Sequence, residues 1–160
     1  EVEKCRSYAE DMRGDARYAI AWALAEATAR IPELTGVARG DVSDESVALP
    51  GCSVTDAREV QLTDWGTEQL HRLIPATRGR SDGPVLRAGS SGSPHELIAA
   101  TLRRGGPFKK PGVSPNSVPA WRGTKELASG SSIDEVARLL GMRSLDRTAS
   151  FIGFEWKDGA

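Results

Sequence analysis

"LLGMRSLDRTASFIGFEW", residues 139–156, holds two helix boundaries in close succession. Gly141 is a natural stop for the helix that ends in Leu139-Leu140, because glycine takes up the left-handed backbone that closes a helix without steric cost. Ser144 then caps a second helix over Leu145 to Ile152, its hydroxyl accepting from the free backbone N–H groups. Ser132 and Glu135 form a capping box for the helix before, "IDEVARLLG". Leu139, Leu140, Leu145 and Ile152 are the expected core contacts. Met142 and Phe151 are apolar residues near the junction whose role the stretch alone does not explain.

Working outward, a helix is expected from about Ser117 to Ala128, with Pro119 tolerated only because it lies in the first turn. "SPHELIAATLRRG" has a full helix entry, with Ser93 as cap, Pro94 at the first helical position and Glu96 closing the box. The Gly- and Pro-rich segments 78–93 and 105–116 read as loops, the first with at most a short strand at Pro84 to Arg87. "LTDWGTEQLHRLI" is helical, capped by Thr63 or Asp64, with Leu62, Leu70, Leu73 and Ile74 as its apolar stripe. "SVALP" (46–50) and "REVQL" (58–62) pair as a hairpin through "GCSVTDA". "DARYAIAWALAEATA" (15–29) is apolar nearly all round, which marks a buried central helix. Pro32 in "RIPELTGVARGDV" starts a fresh turn. The expected fold class is mainly α with a small antiparallel β-sheet (α+β), a single domain over 1–160.

Composition narrows the function classes. The chain has 39% apolar and 27% charged residues, ordinary for a globular protein. Its longest apolar run, Tyr18 to Ala25, is far short of the roughly 18 residues of a membrane span. No N-terminal signal pattern is visible, so a cytoplasmic (intracellular) protein is expected, and Glu1 in place of Met suggests an excised domain. Cys5 and Cys52 have no metal or redox spacing. Charge is uneven beneath a net of −1: residues 1–77 sum to −6, residues 78–122 to +6 and residues 123–160 to −1. A basic face on a neutral chain suffices for phosphate contacts. "TLRRGGPFKKPG" (101–112) sets Arg103, Arg104, Lys109 and Lys110 around one aromatic, Phe108; either it contacts phosphates or it is a solvated basic loop.

Other constellations are weak. His71 and His95 lie on separate helices with no carboxylate motif beside them, and no metal site or cofactor is expected. "GSSGS" (89–93) lacks the lysine of a phosphate-binding loop, and "SGSP" lacks the context of a hydrolase elbow. Trp121 and Trp156 are expected to pack in the core rather than to stack on bases.

The order of these elements is itself informative. A buried helix, "ARIPEL", acidic "GDVS", two strands ending "REVQLTDWG", a loop, a helix, "VSPNSVPAWR", "IDEVARLLG" and "SLDRTASFIG" together resemble the catalytic domain of tyrosine recombinases, the phage-integrase family, over about residues 15–156. The resemblance implies a site in which a tyrosine attacks the scissile phosphate. Two arginines and a histidine or tryptophan would stabilise the phosphoryl oxygens, while a hairpin lysine and a histidine handle protons.

Carried onto this sequence, Arg30 matches the first catalytic arginine and Glu33 the acidic residue after it. On residues alone the alternative is that Arg30 simply pairs with Glu33 or Asp41. The other positions depart from the pattern. No lysine occurs between Lys4 and Lys109, the His-x-x-Arg signature falls on Asn116 and Pro119, the histidine after Leu-Leu-Gly is Met142, and the nucleophile position is Phe151. Arg122, one turn beyond Pro119, is a possible substitute for the second arginine. The other tyrosines, Tyr8 and Tyr18, lie far upstream.

The expectation is a pseudoenzyme: a DNA-binding, integrase-like domain without strand cleavage. Its nominated contacts are Arg30, Arg103, Arg104, Lys109, Lys110, Arg122 and Arg143. Its nominated partner is double-stranded DNA, with itself or another recombinase-like protein as a further partner and no membrane. The alternative is a protein-interaction or structural module on the same fold. An enzyme of another reaction would need a nucleophile that no motif here supplies.

Overall fold

The computed structural model describes residues 1–12, 14–76, 83–86 and 92–155. Its elements in chain order are α1 (Val2–Asp11), α2 (Arg17–Glu26), α3 (Ile31–Leu34), β1 (Ser46–Leu49), β2 (Arg58–Gln61), α4 (Asp64–Ala76), α5 (Pro94–Gly105), α6 (Ser117–Ala128), α7 (Ile133–Leu139) and α8 (Leu145–Ile152). Short 3-10 turns lie at Arg39–Asp41 and Pro107–Lys109. The expected α+β class holds.

α2 is the axis of the molecule. Its residues from Ala19 to Glu26 are all buried, and the alanine-rich faces let α1, α4, α5 and α6 approach closely. Trp22 and Leu24 fill the space between them at 1% exposure or less. Glu26 is buried in this core yet fully partnered. It accepts from Arg6 Nε (2.9 Å) and Nη2 (2.8 Å), Trp22 Nε1 (2.7 Å) and Thr63 Oγ1 (2.9 Å). That network fastens α1, a helix with no apolar stripe strong enough to announce it in the sequence.

The hairpin is antiparallel with Val47 opposite Val60 and Leu49 opposite Arg58. Val47, Leu49 and Val60 point to the core while Ala48, Glu59 and Gln61 face out, the period-2 pattern of a half-buried ribbon. The segment at Pro84 forms only an isolated bridge to Ala38, with Val85 N donating to Val37 O (2.9 Å), rather than a third strand. Thr63 is the cap of α4, accepting from Gly66 N (3.0 Å). Ser93, Ser132 and Ser144 accept from Glu96, Glu135 and Arg147 as their patterns predict.

α6, α7 and α8 form a second layer around a small cluster of its own, Val136, Leu140 and Ile152. Gly123 of α6 permits this approach: a Cβ there would lie 2.9 Å from Ile152 Cγ2 and 3.0 Å from Leu140 Cδ1. Leu139 and Leu140 are packed as expected, but Leu145 is exposed, because it lies on the solvent side of the first turn of α8. Trp121 is half-buried rather than central, with Lys125 Nζ 5.5 Å from its ring centroid. Trp156, most of the 78–93 loop and Arg87 lie outside the described residues.

Candidate functional site

The chain leaves α2 through an unusual backbone. Thr28 has φ +71, a left-handed conformation that a β-branched residue adopts only where its surroundings enforce it. Those surroundings are visible. Thr28 Oγ1 donates to Leu139 O (2.8 Å), and Thr28 O accepts from Arg58 Nη2 (2.8 Å). The turn brings Arg30, the residue before α3, under the α7–α8 junction.

Glu33, one turn on, is fully buried and its carboxylate is saturated. It accepts from Arg30 N (2.7 Å), Thr55 Oγ1 (3.0 Å) and Arg58 Nη1 (2.8 Å) and Nη2 (3.3 Å). Arg58 is equally occupied, since Nε donates to Leu139 O (2.9 Å) and Nη1 also to Asp56 O (3.0 Å). Arg58 and Glu33 are therefore a structural clamp joining β2, α3 and the end of α7. Gly141 belongs to the clamp. It has φ +67, and a Cβ there would lie 2.7 Å from Arg58 Nη1 and 2.9 Å from Asp56 O. Only glycine fits the close approach. Asp56 N donates to Gly141 O (2.8 Å), and the Asp56 carboxylate takes Arg143.

Arg30 is the opposite case. The guanidinium pairs with neither Glu33 nor Asp41, and Asp41 instead accepts from Ala38 N (2.8 Å). Arg30 is 8% exposed, and its Nε is buried without a partner among the described residues. Its remaining contacts are long: Nη1 to Asn116 Oδ1 at 3.5 Å and Nη2 to Met142 Sδ at 3.8 Å. The Phe151 ring lies with its centroid 3.6 Å from the guanidinium carbon, a cation–π contact. Burial lowers the Arg30 pKa, Glu33 opposes this and Arg58 reinforces it. A buried cation lacking a carboxylate contact, with an idle donor, is poorly compensated on its own and suits an incoming anion.

Four residues nominated from the sequence thus meet in space: Arg30, Asn116, Met142 and Phe151. Pro119 is buried in the first turn of α6 and offers no donor. Arg122 does not join them; its Nε pairs with Glu126 along α6 (2.7 Å). Arg58 is the second arginine near Arg30, and the sequence reading missed it. A lone arginine opening a strand carries no signal of partners 25 and 81 residues away.

The nominated surface cations are largely engaged within the chain. Arg103 pairs with Glu96 and stands over Phe108 (5.8 Å), Lys110 Nζ pairs with Glu1 (2.8 Å), and Arg143 with Asp56. Arg104 and Lys109 are exposed with no side-chain partner among the described residues. Tyr8 and Tyr18 pack edge-to-face on each other (6.2 Å) between α1 and α2. Among the described residues no group of three or more His, Cys, Asp or Glu is placed to hold a metal, and no helix is long and apolar enough to cross a membrane.

No protein-family model matches the chain, and no curated protein matches it. Solved structures do. XerA recombinase superposes with a TM-score of 0.76 at 18% identity, covering 96% of this chain and 59% of that one. The Tn1549 transposon integrase in complex with transposon right end DNA gives 0.71 at 12% identity, with 97% and 59% covered. The same integrase in complex with circular intermediate DNA gives 0.62 at 13% identity, with 95% and 59% covered. The fold is that of the tyrosine-recombinase catalytic domain. This chain spans about 59% of the length of those structures.

Proposed function

We propose that this chain is a DNA-binding, integrase-like domain that has lost strand cleavage. The observation that carries the reading is Arg30, a buried guanidinium with an idle Nε and no carboxylate in contact, set where the recombinase resemblance puts a phosphate-binding arginine. In this reading Arg30 takes a backbone phosphate, and Arg104 and Lys109 with the paired cations Arg103, Lys110, Arg122 and Arg143 supply sequence-independent contacts around it. Two of the similar structures hold an integrase with DNA, which supports duplex DNA as the partner.

Cleavage needs a nucleophile at the phosphate. Phe151 has the ring without a hydroxyl, and it lies over the guanidinium, in the space a bound phosphate would share. Asn116 and Met142 supply neither the imidazole nor the arginine that would steady the developing charge. Glu33 and Arg58 keep the frame rigid without a part in chemistry.

The test is a nicked suicide duplex, which traps a covalent intermediate if one forms. A mobility shift with no covalent protein–DNA adduct is expected; an adduct would overturn the loss of cleavage. The second reading, a protein-interaction module, is favoured by one observation: Arg103, Lys110, Arg122 and Arg143 already have carboxylate partners. Absence of duplex binding at low salt would select it.

A further inference from the structure

The basic loop between α5 and α6 borders a pocket that the phosphate site does not use. About 150 Å³ in volume, it opens to solvent where α1, α2, α5, α6 and that loop meet. Trp22 and Trp121 supply indole walls, Leu102 and Val118 supply aliphatic ones, and Pro107 and Val113 bring the loop to its edge. We infer that this pocket is a binding site for a small, neutral, single-ring aromatic molecule, and that filling it orders the loop that carries Lys109 and Lys110. The site stands by itself; its effect on a duplex rests on the proposed grip of DNA.

Volume and wall chemistry select this occupant. An apolar cavity of about this size takes a benzene ring, and it gives water too few polar partners to hold it. Trp22 is 1% exposed and its indole N–H is spent on Glu26 (2.7 Å), so what it offers a guest is apolar ring surface. Two indoles favour an aromatic guest over an aliphatic one, because offset and edge-to-face contacts add to the area buried. The carboxylate at the edge, Glu1, is paired with Lys110 Nζ (2.8 Å), so a neutral guest strands no charge. The loop is where occupancy is felt. Gly106 at φ +99 and Gly112 at φ +79 bound it, and turn bonds such as Lys110 N to Pro107 O (2.9 Å) hold its shape. A guest that touches Pro107 and Val113 on one side and Trp22 on the other ties the loop to the α2 axis. Ser117 and Val118, which also line the pocket, begin α6 directly after Asn116, the neighbour of Arg30.

The probe is toluene, with methylcyclohexane as a comparison of similar bulk and no aromatic ring. Titrated into the native chain, toluene should shift the N–H resonances of Trp22, Trp121 and Val118 saturably, with a Kd on the order of 0.1–1 mM for so small a ligand. Methylcyclohexane should bind about twofold to tenfold more weakly, the range of one aromatic pair. Val113→Trp, at a half-buried loop position, fills the pocket and should abolish saturable binding, whereas Trp121→Phe keeps a ring and should retain it. Amide exchange over 108–113 should slow when toluene is bound. No saturable shift in the native chain, shifts confined to other residues, or full binding by Val113→Trp would overturn the site. Equal affinity for methylcyclohexane would overturn the aromatic preference. Saturating toluene should tighten binding of a labelled duplex about fivefold, a modest coupling between two sites. Unchanged loop exchange and duplex affinity with toluene bound would overturn the ordering of the loop and leave the pocket standing. A chain that takes toluene and no duplex would overturn the DNA reading alone.

Discussion

Arg58→Met tests the frame that positions Arg30. The substitution keeps an unbranched apolar stem and removes the guanidinium, leaving the Glu33 carboxylate fully buried with only Arg30 N and Thr55 Oγ1 as donors. Breaking a buried pair in this way costs about 3–5 kcal/mol, because the surviving charge keeps its desolvation penalty. The same change frees Leu139 O and Thr28 O from their bonds to Arg58, which pushes the loss towards the upper end. A domain of this size shifts its Tm by about 2–4 °C per kcal/mol, so the melting temperature should fall by about 6–20 °C. Circular dichroism melts with urea titrations measure it. The companion Glu33→Leu/Arg58→Met should recover much of the loss, since no charge is then stranded, and the double-mutant cycle should give a coupling of more than about 2 kcal/mol. A loss below about 1 kcal/mol for Arg58→Met, or additivity in the cycle, would refute the clamp.

Neutralising carboxylates should strengthen DNA binding: Glu96→Gln, Glu126→Gln and Asp56→Asn together release Arg103, Arg122 and Arg143, and the slope of log K against log salt should steepen by up to about 3, from roughly 0.9 per freed contact. Cys5 is buried against Gly105, and burial raises its thiol to about 11. A raised folded pKa means that the folded state holds the proton longer, so the contribution of Cys5 to stability is fully present below pH 9 and is lost from pH 9 to 11, and Cys5→Ala should flatten that alkaline decline in pH-dependent melts. On the proposed reading Phe151→Tyr should form no covalent adduct with the suicide duplex, because Asn116, Pro119 and Met142 offer neither a histidine nor an arginine there; an adduct from that single variant would show that a nucleophile alone suffices. Gly123→Ala should disturb α8 more than the main core, with faster exchange over 145–152 than over α2, since its methyl group meets Ile152 and Leu140.

Local signals in the sequence carried most of the fold. Serines ahead of α5, α7 and α8 cap them where the patterns place them, and the alternation in 46–50 and 58–62 becomes the hairpin within one residue at each end. α1 was not legible, because the face it buries is only Cys5 and Ala9 and its docking relies as well on Arg6 reaching Glu26 and Trp65. At the site, Arg30, Asn116, Met142 and Phe151 were legible as an ordered set, and the structure brings them together. What was not legible is the division of labour between the two arginines. Glu33 looks like the partner of Arg30 by its spacing, yet the backbone at Thr28 turns the Arg30 side chain away and leaves the carboxylate to Arg58. Such long-range choices depend on tertiary geometry that no local window contains.

The most direct measurement is the affinity of the native chain for a short duplex across a salt series, by fluorescence anisotropy. With Arg30, Arg104 and Lys109 as contacts free of carboxylates, log K should fall with log salt at a slope of about −3, approaching −6 if the paired cations exchange their carboxylates for phosphates. Binding that is absent at low salt, or that holds constant as salt rises, would contradict a domain that grips DNA through its phosphates.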